Sequence, residues 1–281
     1  MADDALLSYC ARQVRDGDND RFLTTLFAPG PRREGLFALY AFNIEVARIA
    51  EAVREPMMGQ IRLQWWRERI AEIYQSRRPN GAEVPQALSD AVHALDLPRA
   101  PFDALLDARE DDLVPDAPAT SSDFEGYAAA TGGALTGLAL HALGAGDQAA
   151  QHAGRHVGIA TAIAGHLRAA AFHARRDKVF LPRDLLGDDG EDDLRAGRPS
   201  AALAAAAGRI AARAEDHLRI ARDLAPPVPE IAWPALLPAR LADAYLARLE
   251  RARFDLFSPS LDIAKPRRQM ILAWAAWRGR F

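Results

Sequence analysis

Two stretches of the chain place ionisable side chains at helical spacing. In the first, Ala38 to Glu51 (ALYAFNIEVARIAE), the residues Glu45, Arg48 and Glu51, continued by Arg54, follow one another at intervals of three with alternating sign. Such a row suits weak surface ion pairs, each worth about 0.2–0.5 kcal/mol, or a polar face turned towards a cavity. In the second, Thr161 to Pro182 (TAIAGHLRAAAFHARRDKVFLP), an Ala-rich helix runs into the basic cluster Arg168, His173, Arg175, Arg176 and Lys178, then closes on Phe180 and Leu181 before Pro182. A helix C-terminus favours cations in any case. The planar fork of arginine also suits phosphate, so the cluster reads either as a solvated helix end or as an anion site that works without metal. Arg175 fits the first reading better.

Other titratable groups are less patterned. His166 and His173 stand seven apart, whereas chelation from one helix wants residues four apart, so no metal pair is expected there. His141, His152, His156 and His217 are read as lacking ligand spacing. Asp107, Glu110, Asp111 and Asp112 form an acidic run in which Asp107 and Asp111 could bind a cation, but a solvated helix face is preferred. Cys10 has no partner pattern and reads as a plain buried or half-buried thiol.

Composition bounds what these groups can serve. The chain has 281 residues, enough for a large core in one domain or two tightly joined ones. A net charge of -3 argues against a nucleic-acid binder. One cysteine excludes an internal disulfide and fits a reducing compartment. The acidic start MADDALLSYC lacks the marks of a secretory signal or a mitochondrial presequence, and no run of about 18 apolar residues exists to span a membrane. A cytoplasmic protein is expected, with peripheral attachment to an inner membrane left open. The tail Lys265 to Phe281 interleaves basic residues with Trp274, Trp277 and Phe281, which suits either a membrane interface or a helix capping the bundle. Trp65 and Trp66 read as core or interface.

The elements that must position these residues are all helical. Asp3 or Asp4 is expected to cap a helix to about Val14, and a short apolar segment, Phe22 to Phe27, ends at the turn Ala28-Pro29-Gly30-Pro31. Helices are expected over Arg32–Val53, Met57–Tyr74 (Ile61, Trp65, Ile70 and Ile73 inward), Val84–Leu95 and Pro101–Leu113. Further helices are expected over Phe124–Leu143, Gln148–His173, Ser200–Leu224, Ile231–Phe254 and Lys265–Phe281. Leu186 to Pro199, the most acidic stretch, reads as a solvated loop or a short ordered excursion. No strand pattern appears. The expected architecture is an all-α, single-domain bundle over residues 1–281.

Taken together, Ala38–Glu51, the Trp-Arg helix LQWWRERIAEIY and the Gly158, Ala160, Leu167, Arg168, Arg176, Val179, Leu181, Pro182 series resemble the squalene/phytoene synthase family over roughly Leu7 to Phe257. The resemblance implies the isoprenoid synthase fold. It also implies head-to-head condensation of two prenyl diphosphates, in which aspartates on two facing helices hold magnesium against the leaving diphosphate. Here the first aspartate-rich motif falls on Ala47, Arg48 and Glu51, and the second on Ala169 and His173. No catalytic residue is assigned and no metal or other cofactor is expected; magnesium belongs only to the alternative, an active prenyltransferase. AFNIEVA, RLQWWRERIAEIY, LLDARE and LRAAAFHARRDKVFLP further resemble the branch that lacks those motifs and includes a mitochondrial complex I assembly factor. That likeness implies a non-catalytic role in maturing the respiratory NADH dehydrogenase, with its subunits or assembly proteins as partners, or the binding of a prenyl or other lipid. On this basis the candidate ligand-binding residues are Tyr40, Asn43, Glu45, Arg48 and Glu51 in the first stretch. In the second they are Arg168, His173, Arg176 and Lys178.

Overall fold

The computed structural model describes residues 7–53, 55–77, 79–114, 116–224, 228–279 and 281, and every regular element among them is a helix. Side-chain caps set many of the boundaries. Ser8 accepts from the Ala11 N–H to start α1 (Tyr9–Gly17), and Asp18 does the same for α2 (Asn19–Thr25). The caps expected at Asp3 or Asp4 lie outside the described residues. Pro31 lies in the first turn of α3 (Gly30–Ala47), where its missing N–H has no intrahelical partner to lose. The single helix expected from Arg32 to Val53 breaks at Arg48, and the short α4 (Ile49–Ala52) follows.

Pro56 opens α5 (Pro56–Tyr74), which buries Gly59, Leu63, Trp66, Ile70 and Ile73. Ile61 and Trp65, expected inside, are 55% and 37% exposed, because the buried stripe advances by three and four from Gly59 and passes between them. Next come α6 (Glu83–Leu95) and α7 (Ala100–Ala108), the latter followed by a tight turn at Asp111–Leu113. Thr120 and Asp123 form a reciprocal capping box on α8 (Ser121–Ala128), and a wide π-type turn at Ala129–Gly133 leads into α9 (Ala134–Leu143).

Asp147 caps the 27-residue α10 (Gln148–Ala174), the central helix, which packs on α8, the π-type turn, α9 and helices further along the chain. The acidic stretch, read as a solvated loop or a short ordered excursion, is ordered as α11 (Arg183–Arg195), kinked at Gly187. Leu186 and Leu194, eight residues apart, are buried on its inner side, so two apolar residues anchor a helix whose other faces carry acids to water. Ser200 caps α12 (Ala201–Asp223), and α13 (Trp233–Leu236), α14 (Pro238–Arg251) and α15 (Lys265–Arg278) complete the chain.

The apolar core is one connected cluster reaching from Cys10 to Phe281, with a smaller one around Leu23, Leu237, Leu241 and Leu272. At its aromatic centre Phe42 meets Trp66 and Phe102 edge-on, with ring centroids 5.0 and 5.4 Å apart. Cys10 is 3% exposed, and burial pushes its thiol up to about 12, which leaves it inert. Where α10 crosses the π-type turn, Gly158 and Gly132 pass so closely that a Cβ on either would strike the carbonyl oxygen of the other. This contact seats the C-terminal half of α10 against α8 and α9, and so fixes the position of the second basic stretch.

Candidate functional site

A cavity of about 450 Å³ opens between α4, the end of α7, α8 and the last turns of α10. Each wall follows from local geometry. The break after α3 turns Ala47, Ala50 and Glu51 towards the opening, while two turns of α10 place His166 above His173 on one face. Beyond α10 the chain brings in Arg176, Lys178 and Phe180, and the turn after α7 contributes Arg109 and Asp112 opposite Tyr127 of α8.

The floor is a polar network in which, among the described residues, only Arg109 Nε is left without a partner. Arg109 donates through Nη1 to Asp112 Oδ2 at 3.0 Å and to the Tyr127 hydroxyl at 2.7 Å. The Tyr127 hydroxyl donates in turn to Asp112 Oδ1 at 2.7 Å. Lys178 Nζ donates to the Asp112 carbonyl at 2.6 Å. Asp112 is only 4% exposed, so the buried arginine and carboxylate compensate each other. Burial pushes the Tyr127 phenol well above its ordinary range, which keeps its proton in place as a donor.

The upper cavity is aromatic. His166 lies among Phe124, Tyr127 and Phe180, with ring centroids 5.5, 5.6 and 5.4 Å away. Its buried Nδ1 has no hydrogen-bond partner. Burial pushes the imidazole down to about 4, so it is neutral at ordinary pH. His173, 4.8 Å from Phe180, is also held down by burial, although the Glu51 charge opposes this. Arg176 stacks over Phe172 at 4.0 Å, and Glu51 stands exposed at the mouth.

This donor set suits an anion held by Arg176 and Lys178 without metal. It does not suit magnesium, which wants several carboxylate or other oxygen ligands. Both Asp112 oxygens are committed to Arg109 and Tyr127, leaving Glu51, among the described residues, as the one carboxylate facing the space, opposite neutral His173 and beside three cationic side chains. Among the described residues no group of three or more His, Cys, Asp or Glu is arranged to hold a metal ion.

The sequence candidates divide among several places. Ala47, Glu51, His173, Arg176 and Lys178 meet in this cavity; Ala169 is not on its lining. Glu45 and Arg48 instead line a groove of about 350 Å³ beside Trp65 and Trp66, where Gln13 Nε2 donates to Glu45 at 3.3 Å. The alternating row is therefore split, because the helix breaks at Arg48; Arg54 lies outside the described residues. Tyr40 and Asn43, at 3% and 8% exposure, sit in the core. Arg168 belongs to a third recess of about 250 Å³: it stacks on Tyr245 at 4.3 Å and lies 3.6 Å from Asp20. Asp20 also accepts from Arg268 at 2.6 Å and from the Tyr245 hydroxyl at 2.9 Å, so one carboxylate is shared by both arginines.

Arg109, Asp112, Tyr127 and His166 were not among the sequence candidates. The available signal was the Arg109–Asp112 spacing of three inside the acidic run. Asp107 and Glu110 of that run do face water, both paired with Arg67 at 2.9 and 2.7 Å.

The all-α architecture, with a cavity between facing helices, defines the isoprenoid synthase class of fold. The chain belongs to the squalene/phytoene synthase family, whose sequence profile matches residues 14–270. It is 34% identical over 273 residues to a human protein named NADH dehydrogenase (ubiquinone) complex I, assembly factor 6, covering 96% of this chain and 81% of that one. Two solved structures share the fold. Squalene synthase HpnC from Alicyclobacillus acidocaldarius gives a TM-score of 0.77 at 21% identity, covering 88% of this chain and 93% of that one. A dehydrosqualene synthase solved with a ligand gives 0.80 at 18% identity, covering 96% and 95%.

Proposed function

We propose that this chain is a non-catalytic member of its family that acts in assembly of the respiratory NADH dehydrogenase, using the α4–α10 cavity to hold an anionic or lipid-like group rather than to ionise one. The carrying observation is the cavity's donor set. Where diphosphate ionisation needs clustered carboxylates, it presents Ala47 and neutral His173, with a single uncommitted carboxylate, Glu51. Near-full-length similarity to the human assembly factor supports the particular pathway. The expected partners are subunits or assembly proteins of that complex.

The expected location is cytoplasmic, with α15 resting on the inner membrane. Met270, Trp274 and Trp277 are 64%, 53% and 77% exposed, and Arg278 stacks on Trp274 at 4.4 Å. Exposed tryptophans among cations suit the interface of an anionic bilayer.

Deletion of the gene in its host tests the assembly role. Assembled NADH dehydrogenase and its activity should fall, and the wild-type gene should restore them. Unchanged levels of the assembled complex would overturn the proposal.

A further inference from the structure

On the far side of α10 from its C-terminal turns, a second cluster of titratable side chains has no part in the cavity. His152 and His156 are four apart on α10, one helical turn, contrary to the expectation that these histidines lack ligand spacing. Across the α10–α12 contact, His217 brings its Nδ1 to 2.7 Å from the Nδ1 of His156. The ring centroids of His152 and His217 lie 5.3 and 5.0 Å from that of His156. Behind His217, Glu125 of α8 places Oε2 3.6 Å from Nε2 and is itself held by Arg213 through contacts of 2.5 and 3.1 Å.

We propose that His156 and His217, with His152 as a third ligand in reach, form a binding site for a divalent transition-metal ion that clips α10 to α12. Imidazole nitrogens suit nickel, copper and zinc, whereas oxygen-seeking magnesium or calcium would find no ligand set here. At metal–nitrogen distances of about 2.0–2.1 Å, two nitrogens in neighbouring positions of a square or octahedral ion stand about 2.9 Å apart. The observed separation is close to that, and each ring must turn by about 45° from the shared hydrogen bond to aim its Nδ1 at the ion. No three-ligand set is in place around one point among the described residues, so water completes the coordination until exposed His152 turns in.

The protonation states agree with this geometry. The carboxylate of Glu125 favours the His217 proton on Nε2, leaving Nδ1 as acceptor for the His156 Nδ1–H. When the ion enters, the His156 proton moves to its Nε2, both Nδ1 lone pairs face the metal, and no proton is lost. A carboxylate behind a ligating histidine is the usual device for fixing its tautomer. Burial and the neighbouring charges hold His156 down to about 4 and His217 below its ordinary value, so both rings are uncharged at neutral pH. The groups facing the pair are His152, Arg155, Glu125, Arg213 and Asp216, and the carboxylates among them offset the cations.

Tag-free full-length protein titrated with Ni²⁺ and with Zn²⁺, in calorimetry and thermal melts, tests the site. The expected result is a single binding event, a raised melting temperature and reversal by EDTA. His156→Gln and His217→Gln should each weaken binding about ten-fold or more, and Glu125→Gln by about ten-fold through the tautomer. The exposed control His93→Gln should leave it unchanged. Should a variant not fold, broadening of imidazole resonances by paramagnetic Ni²⁺ in the wild-type protein reads the site directly and must be strongest at His152, His156 and His217. Absence of binding at millimolar metal, or broadening centred on other residues, would overturn the proposal.

Discussion

At the scale of single residues, the cavity is defined by which polar groups are already spoken for. Asp112 gives both oxygens to Arg109 and Tyr127, whereas His166 keeps a buried nitrogen without a partner. That histidine also predicts an acid limb of stability. Its value in the folded state is pushed below 6.5 to about 4, so the unfolded chain takes up a proton first as pH falls. The contribution is complete above about 6.5 and is lost as pH drops towards about 4, amounting to about 3 kcal/mol at full loss. Urea unfolding at a series of pH values checks this: His166→Phe should flatten the slope over that window, and an unchanged slope would show that other groups carry it. Sequence alone exposed only part of this set. Glu51, His173, Arg176 and Lys178 were visible from spacing and family likeness. Asp112 was hidden among neighbouring acids, because the tight turn after α7 decides which of them faces inward.

At the scale of elements, several helix starts were legible. The starts expected at Ser200, Gln148 and Met57 are shared by the structure within a residue. Two events were not legible. The break at Arg48 leaves no glycine or proline in the sequence, yet it sends Glu45 and Glu51 to different cavities. The helix α11 is masked by acids whose charge outweighs Leu186 and Leu194 in any composition-based reading. The Gly132–Gly158 crossing is the element contact on which the site most depends. Gly158→Ala puts a methyl group against the Gly132 carbonyl, where backbone rather than a flexible side chain must yield. It should cost about 2 kcal/mol, a typical overpacking penalty, and lower the denaturant midpoint. A wild-type midpoint would show that the crossing relaxes freely.

At the scale of the whole molecule, the family fold persists, and the proposed role rests on a cavity lined by cations, aromatics and histidines. The membrane reading belongs at this scale because α15 presents one exposed aromatic-basic face. Trp274→Ser with Trp277→Ser should cut binding to anionic vesicles about ten-fold without loss of helix, since both side chains face water. Equal vesicle binding by the variant would remove α15 from the account. The central claim concerns the cavity, and its most direct measurement is incubation of the purified protein with farnesyl or geranylgeranyl diphosphate, magnesium and NADPH. The account predicts neither diphosphate release nor a squalene- or phytoene-type product above a heat-killed control. Product formation above that control would contradict it.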